Sequence, residues 1–147
     1  MATFRVLVPS SLPAAATWRR VLDLRAHDRL IPLTHVTGGM VAADQLGAGS
    51  RFVARTGLGP VGFDDPMVVE EVRPPAGQEP GLARIRKEGK VIHGWIELRV
   101  LPGGTGSVVD WRQEIRVSGV PRALGWLTAG VGRAAYGMAL RRLLAHD

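Results

Sequence analysis

Apolar and polar positions alternate with a period of two over most of this chain, and the helical period takes over at two places. Phe4, Val6 and Val8 alternate with Thr3, Arg5 and Leu7, which predicts a short strand with one mostly apolar side. Ser10-Ser11-Leu12-Pro13 then reads as a helix start, a hydroxyl cap before a first-turn proline. The predicted helix body is Ala14 to Leu22, with Ala15, Trp18 and Leu22 on one face. Asp23 to Leu30 predicts a second short helix, stopped by Ile31-Pro32.

From there to Val117 the pattern is strand after strand: Thr34–Met40, Arg51–Thr56, Val61–Arg73, Leu82–Lys87, Val91–Leu101 and Ser107–Val117. Turns are expected at Asp44–Gly49, Gly57–Pro60, Gly89-Lys90 and Pro102–Gly106, and a loop at Pro74–Gly81. Asp65-Pro66 interrupts the third of these strands, which implies an edge or a bulge. In Val91–Leu101, Ile92, Ile96, Leu98 and Val100 share one side with Gly94, and His93, Trp95, Glu97 and Arg99 share the other. In the last strand Val109, Trp111, Gln113, Ile115 and Val117 oppose Asp110, Arg112, Glu114 and Arg116. One buried and one wet face per strand is the habit of antiparallel sheets.

The helical period returns in Val120–His146. Leu124, Leu127, Val131, Ala134 and Met138 recur at spacings of three and four and predict one apolar face, with Arg122, Arg133 and Tyr136 on or near the opposite side. Pro121 suits the first turn. Such a helix would span roughly 35–40 Å. Its four glycines, Gly125, Gly130, Gly132 and Gly137, each cost about 1 kcal/mol against alanine, so packing must hold it. The order is strand, two helices, about six strands, long helix. This is an α+β pattern in one domain, residues 1–147, and a curved antiparallel sheet of about six or seven strands gripping the last helix satisfies every apolar face at once.

Composition narrows the function classes. There are no cysteines, which excludes disulfides and thiolate metal sites and makes a reducing cytoplasm the expected location. No apolar run reaches membrane-spanning length, and the N-terminus carries Arg5 inside its only apolar run, a poor signal peptide. The net charge of +6 raises nucleic-acid binding. The arginines, however, are spread along the chain among acids, with no tail and no stripe of basic residues among aromatics, so solvated surface is the preferred reading.

Trp18-Arg19-Arg20-Val21-Leu22-Asp23 with Ile31-Pro32, Gly47-Ala48-Gly49-Ser50-Arg51-Phe52, Phe63-Asp64-Asp65-Pro66-Met67, Val72-Arg73-Pro74-Pro75, Val109-Asp110-Trp111 and the terminal helix together give the chain a family likeness. It resembles the START-like or helix-grip superfamily (SRPBCC), and within it the bacterial polyketide cyclase/dehydrase-like branch. The resemblance implies a cavity for a hydrophobic ligand between sheet and C-terminal helix. Members include aromatase/cyclases and lipid or hormone binders, and the superfamily has no universal catalytic residue to transfer.

Small residues on helix and sheet, including Ala54, Thr56 and Gly94, are compatible with such a cavity; alone they favour close packing, and it is the resemblance that turns the reading to a cavity. The expected ligand-binding residues are Phe52, Ala54, Thr56, Ile96, Leu98, Trp111, Gln113, Leu127, Val131 and Met138. Thr56 and Gln113 would orient a polar ligand group or be satisfied core residues. Trp111 would stack on a ring or fill core volume, and Trp95 points to the outer side. Gly57-Leu58-Gly59-Pro60-Val61-Gly62 matches a dinucleotide fingerprint, but Phe63-Asp64-Asp65-Pro66 cannot start the helix that motif needs, so it reads as a turn. Asp64 and Asp65 would point to opposite faces of a strand, which argues against an acid/base pair. His27, His35, His93 and His146 show no metal spacing, and neither a metal nor another cofactor is expected.

The first functional reading is a binder of a small hydrophobic molecule that is polyketide-, lipid- or aromatic-like. No nucleic acid and no membrane-spanning segment are expected, and a homodimer is left open. The alternative is a polyketide cyclase/dehydrase-type enzyme that folds its substrate and shuttles protons, with His35, Arg55, Glu97 and Tyr136 as candidates. A protein-interaction module using Trp95 is a third class.

Overall fold

The computed structural model describes residues 2–23, 34–37, 47–58, 61–89, 92–117 and 125–145. Strand β1 (Ala2–Ser10) leads into helix α1 (Ala14–Val21). Strands β2 (Thr34–Thr37), β3 (Arg51–Leu58), β4 (Val61–Arg73), β5 (Gly81–Glu88), β6 (Ile92–Gly103) and β7 (Gly106–Val117) follow, then helix α2 (Gly125–Ala145). The expected second helix at Asp23–Leu30 and the first-turn role of Pro121 lie outside the described residues, apart from Asp23 itself.

All seven strands form one curved antiparallel sheet in the order β1-β7-β6-β5-β4-β3-β2. From β2 to β7 each strand pairs antiparallel with the next. The β6–β7 turn is two residues, Gly104-Thr105, between the paired Gly103 and Gly106. Gly104 has φ +58, a left-handed conformation that glycine takes without a Cβ penalty.

One face of the sheet carries the core. Phe4, Val6 and Val8 on β1, Met67 and Val69 on β4, Ala83 and Ile85 on β5, Leu98 and Val100 on β6, and Val109 on β7 are buried in one cluster. Trp18, Val21 and Leu22 from the α1 region and Leu140 and Leu144 from α2 complete it. The alternation expected on β6 and β7 is the one observed for the described side chains Ile96, Leu98, Val100, Val109, Trp111 and Gln113.

Three local expectations are corrected. Pro13 is the N-cap of α1, not its first helical residue, and no side chain caps the helix. The hydroxyl of Ser10 instead accepts from the Leu12 amide and bonds Thr17 Oγ1 at 2.8 Å, and Thr17 bonds Ser107 Oγ at 2.8 Å. This buried trio ties β1, α1 and β7 together. Ala15 is exposed, and Ala14, Thr17, Trp18 and Val21 form the packed face. Finally, β4 runs unbroken through Asp65-Pro66; the irregularity falls between Val69 and Glu71. Pro66 pairs with Val53 on β3 and, among the described residues, with nothing on β5, so its missing N–H costs no rung there.

The largest correction concerns α2. Val131 is 63% and Met138 48% exposed, and Ala134 is exposed too, whereas Leu140, Leu144 and Gly137 are buried. Tyr136, expected on the far side, packs inward against the core. At about 100° per residue, Met138 stands roughly 200° from Leu140 and shares its side with Val131. Apolar residues fall nearly all round this helix, so periodicity alone does not choose a face. The larger Tyr and Leu side chains gain more by burial than Ala, Val or a terminal Met.

The opposite face of the sheet is a lattice of arginines and carboxylates. Arg84 bonds Glu71 and Glu97, Arg86 bonds Glu70 and Glu88, and Arg116 bonds Glu114. Arg5 grips Asp110 with two bonds, at 2.9 and 3.1 Å. Much of the chain's positive charge on this face is thus engaged locally. Burial alone would raise the Asp110 carboxyl, but the hydrogen bond from Arg5 and the charges of Arg112 and Arg5 outweigh it and hold it below its usual 3.8. A carboxylate lowered in this way stabilises the fold above its ordinary value and loses that contribution as pH falls through its folded value. Asp110→Asn is therefore expected to lower Tm at neutral pH and to flatten the decline of Tm between about pH 5 and about pH 2.5. Parallel Tm curves for the two proteins would refute this role.

Candidate functional site

Strand register assembles the inner wall. Phe52 and Ala54 on β3 stand opposite Met67 and Asp65 on β4, and Met67 stands opposite Lys87 on β5. Lys87 faces Gly94 and Ile85 faces Ile96 across β5–β6; Ile96 faces Gln113 and Leu98 faces Trp111 across β6–β7. Directly paired residues share a face. Phe52, Ala54, Ile96, Leu98, Trp111 and Gln113, six of the expected ligand residues, are therefore brought together on one side, all buried. The side chains of Thr56 and Leu127 lie outside those described. Val131 and Met138 stand on the exposed side of α2, and Tyr136 takes the inward position in their place.

Tyr136 stacks on Trp111 with ring centroids 5.2 Å apart and on Phe4 at 5.8 Å. This aromatic trio joins α2 to β7 and β1 and puts the phenol at the wall. Trp111 Nε1 donates to Gln113 Oε1 at 3.0 Å. Gln113 is fully buried, and its Nε2 has no hydrogen-bond partner. An unpaired buried amide costs about 1–3 kcal/mol, so a bound group that accepts from it would gain correspondingly.

Sequence reasoning missed a second polar feature of the wall. Lys87 and Asp65 form a buried ion pair, with side chains only 1% and 8% exposed. The ammonium also touches Met67 Sδ at 3.9 Å. Asp65 Oδ1 is buried without a partner. Burial raises the Asp65 carboxyl above its usual 3.8, against the charge and hydrogen bond of Lys87, which lower it. The signal was present in the alternation: Lys87 continues the parity of Ala83 and Ile85, while Arg84, Arg86 and Glu88 are exposed.

Of the four residues considered for proton transfer, Tyr136 alone is shown at the inner face. Arg55 pairs with Asp64 at an exposed site, Glu97 bonds Arg84 and Arg99 on the outer face, and the side chain of His35 is not among those described. Asp64 and Asp65 do point to opposite faces, Asp64 exposed and Asp65 buried. Trp95 is 37% exposed on the outer face, where its Nε1 donates to Glu114 at 3.0 Å. It borders a depression of about 650 Å³ together with Glu70, Arg84, Arg86 and Arg116. The charged groups there already have partners, which leaves little to hold an ionic ligand. Among the described residues no three His, Asp or Glu side chains converge as a metal site, and no helix is long and apolar enough to cross a membrane.

No family model and no curated protein matches the chain. Solved structures do. TTHA0849 from Thermus thermophilus superposes with a TM-score of 0.71 at 15% identity, over 97% of this chain and 94% of that one. MLL2253 from Mesorhizobium loti gives a TM-score of 0.67 at 17% identity, over 97% and 96%. Norcoclaurine synthase from Thalictrum flavum gives a TM-score of 0.61 at 15% identity, over 99% and 94%. Near-complete coverage in both directions, with the strand order above, shows the fold: a curved antiparallel sheet with a long C-terminal helix, the helix-grip architecture. The chain has the fold of the START-like (SRPBCC) superfamily.

Proposed function

We propose that this protein binds a small, mostly apolar molecule, polyketide-, lipid- or aromatic-like, between the inner face of the sheet and helix α2. The observation that carries the reading is Gln113: a fully buried side chain with an unpartnered Nε2, set in a wall of Phe52, Ala54, Ile96, Leu98 and Trp111. Removing apolar ligand surface from water supplies affinity at about 25 cal/mol per Å², and the amide orients whatever acceptor the molecule carries. Likeness to norcoclaurine synthase, an enzyme on this fold, adds support.

The test uses an uncharged fluorophore, N-phenyl-1-naphthylamine. Saturable blue-shifted emission is expected from the wild type, and its loss from Ala83→Phe, a position 1% exposed on the inner wall. A hollow behind Ala83 accepts the added ring and the variant keeps its Tm. A filled interior is overpacked by the ring and loses about 1–3 kcal/mol. No probe binding by the wild type, together with a destabilised variant, sinks the reading.

One observation favours the alternative, a polyketide cyclase/dehydrase-type enzyme: Asp65 and Lys87 place two titratable groups on the same wall. Such an enzyme must move protons at the bound molecule, which a carrier need not do.

A further inference from the structure

The geometry points to Asp65 and Lys87 as a recognition site for a neutral hydroxyl group, a phenol, enol or alcohol, on the bound molecule. The inference rests on the apolar-ligand reading above and names the chemistry that the ligand must carry.

Four observations converge on it. The carboxylate is more than nine-tenths buried, and one of its two oxygens, Oδ1, has no partner. The adjacent ammonium has three protons and is given Asp65 Oδ2 and, weakly, the Met67 sulfur. A donor-acceptor pair is therefore incomplete on both sides. Finally, the residues opposite the pair in register are small, Ala54 across from Asp65 and Gly94 across from Lys87, so no bulky side chain on either rung covers the two heads.

The charges select the ligand group. A carboxylate or phosphate would meet the unpartnered Oδ1, and an amine cation would meet the ammonium. The pair is neutral in sum, so an ionic group would lose its hydration without a net opposite charge to replace it. A hydroxyl suits both sides: its proton goes to Oδ1 and its oxygen accepts from Nζ. Both are hydrogen bonds to charged groups, the stronger kind. An ether or a hydrocarbon cannot supply the proton. A site built to hydrogen-bond a hydroxyl rejects the analogue without it, because the buried group is left unpaired.

Two probes of similar size separate the possibilities: 2-naphthol, with a hydroxyl, and 2-methoxynaphthalene, without the proton. The wild type is expected to bind 2-naphthol about tenfold or more tighter, read as Kd from naphthyl fluorescence. Asp65→Leu combined with Lys87→Met replaces the pair by apolar groups of similar volume, which leaves no buried charge alone. In that variant the preference should fall to about twofold or less, with the methoxy compound bound at least as tightly as before. Equal affinity of the wild type for both probes, or a preference that survives in the double variant, overturns the hydroxyl site and leaves the apolar chamber standing. Binding of neither probe overturns the chamber itself, and the hydroxyl site with it.

Discussion

Gly94→Ala is expected to cost about 3 kcal/mol or more, against less than about 1 kcal/mol for Gly103→Ala on the same strand. Gly94 has φ +138, a conformation that L side chains rarely adopt, and strain of that kind costs about 1–3 kcal/mol. A Cβ there would lie 1.9 Å from the backbone oxygen of Glu114, which cannot swing away as a side chain could. To admit it, β6 and β7 must part around the Gly94–Ile115 pair, and each ladder bond weakened adds about 1 kcal/mol. Gly103 has an ordinary φ, and its added Cβ meets nothing within 4 Å. Urea unfolding measures both variants. A cost below about 1 kcal/mol for Gly94→Ala, at unchanged m, would show that the strands yield freely at this point. The effect also reaches the inner wall, since Gly94 stands beside Lys87.

How much of this was legible in the linear pattern depended on how local the determining physics is. Strand β4 was delimited as Val61–Arg73, because alternation with flanking turn residues is a local signal. The inner faces of β6 and β7 followed in the same way, and six of the expected wall residues lie where alternation put them. Helix α2 misled for a physical reason. With alanines, valines and leucines on nearly every side, its rotation is decided by which partners it meets, and the Phe4–Tyr136–Trp111 stack decides it. Spacing from the Leu124–Met138 set had put Tyr136 on or near the opposite side, although its ring is well suited to burial.

The Asp65–Lys87 pair shows the limit more sharply. Each strand alone places a charge on its apolar parity, which reads as an end effect or an edge. The two become a pair only through the β4–β5 register, and that register is fixed by contacts about twenty residues apart. The adjacent acids were correctly assigned to opposite faces, yet the corollary, that one must face inward and find a cation, requires knowing which strand lies alongside. The chain's two lysines are Lys87 and Lys90, among 19 basic residues. Lysine is suited to a cramped internal pairing, since its compact ammonium needs less room than a guanidinium fork.

Lys87→Met is expected to destabilise the protein by about 3–5 kcal/mol at neutral pH, because it leaves the Asp65 carboxylate buried without a counter-charge. The Asp65→Leu/Lys87→Met double variant is expected to fall within about 1 kcal/mol of the wild type, since well-packed apolar groups replace a buried ion pair at little or no cost. The single variant carries a pH signature that separates lost charge from lost packing. Burial already holds the Asp65 carboxyl above its usual 3.8 with Lys87 lowering it, and removing Lys87 removes that lowering influence. A carboxyl raised in the folded state gives its full stability below the unfolded value and loses it as pH rises through the folded value. The penalty of Lys87→Met relative to the wild type should therefore shrink as pH falls from about 7 to about 4, because a protonated Asp65 is neutral and no longer needs the ammonium. Chemical denaturation at both pH values decides the matter. A penalty that stays constant across that range would mean that the lysine acts through its alkyl chain and not as the partner of a buried anion, and the wall's charge-based selection of a hydroxyl would lose its physical basis.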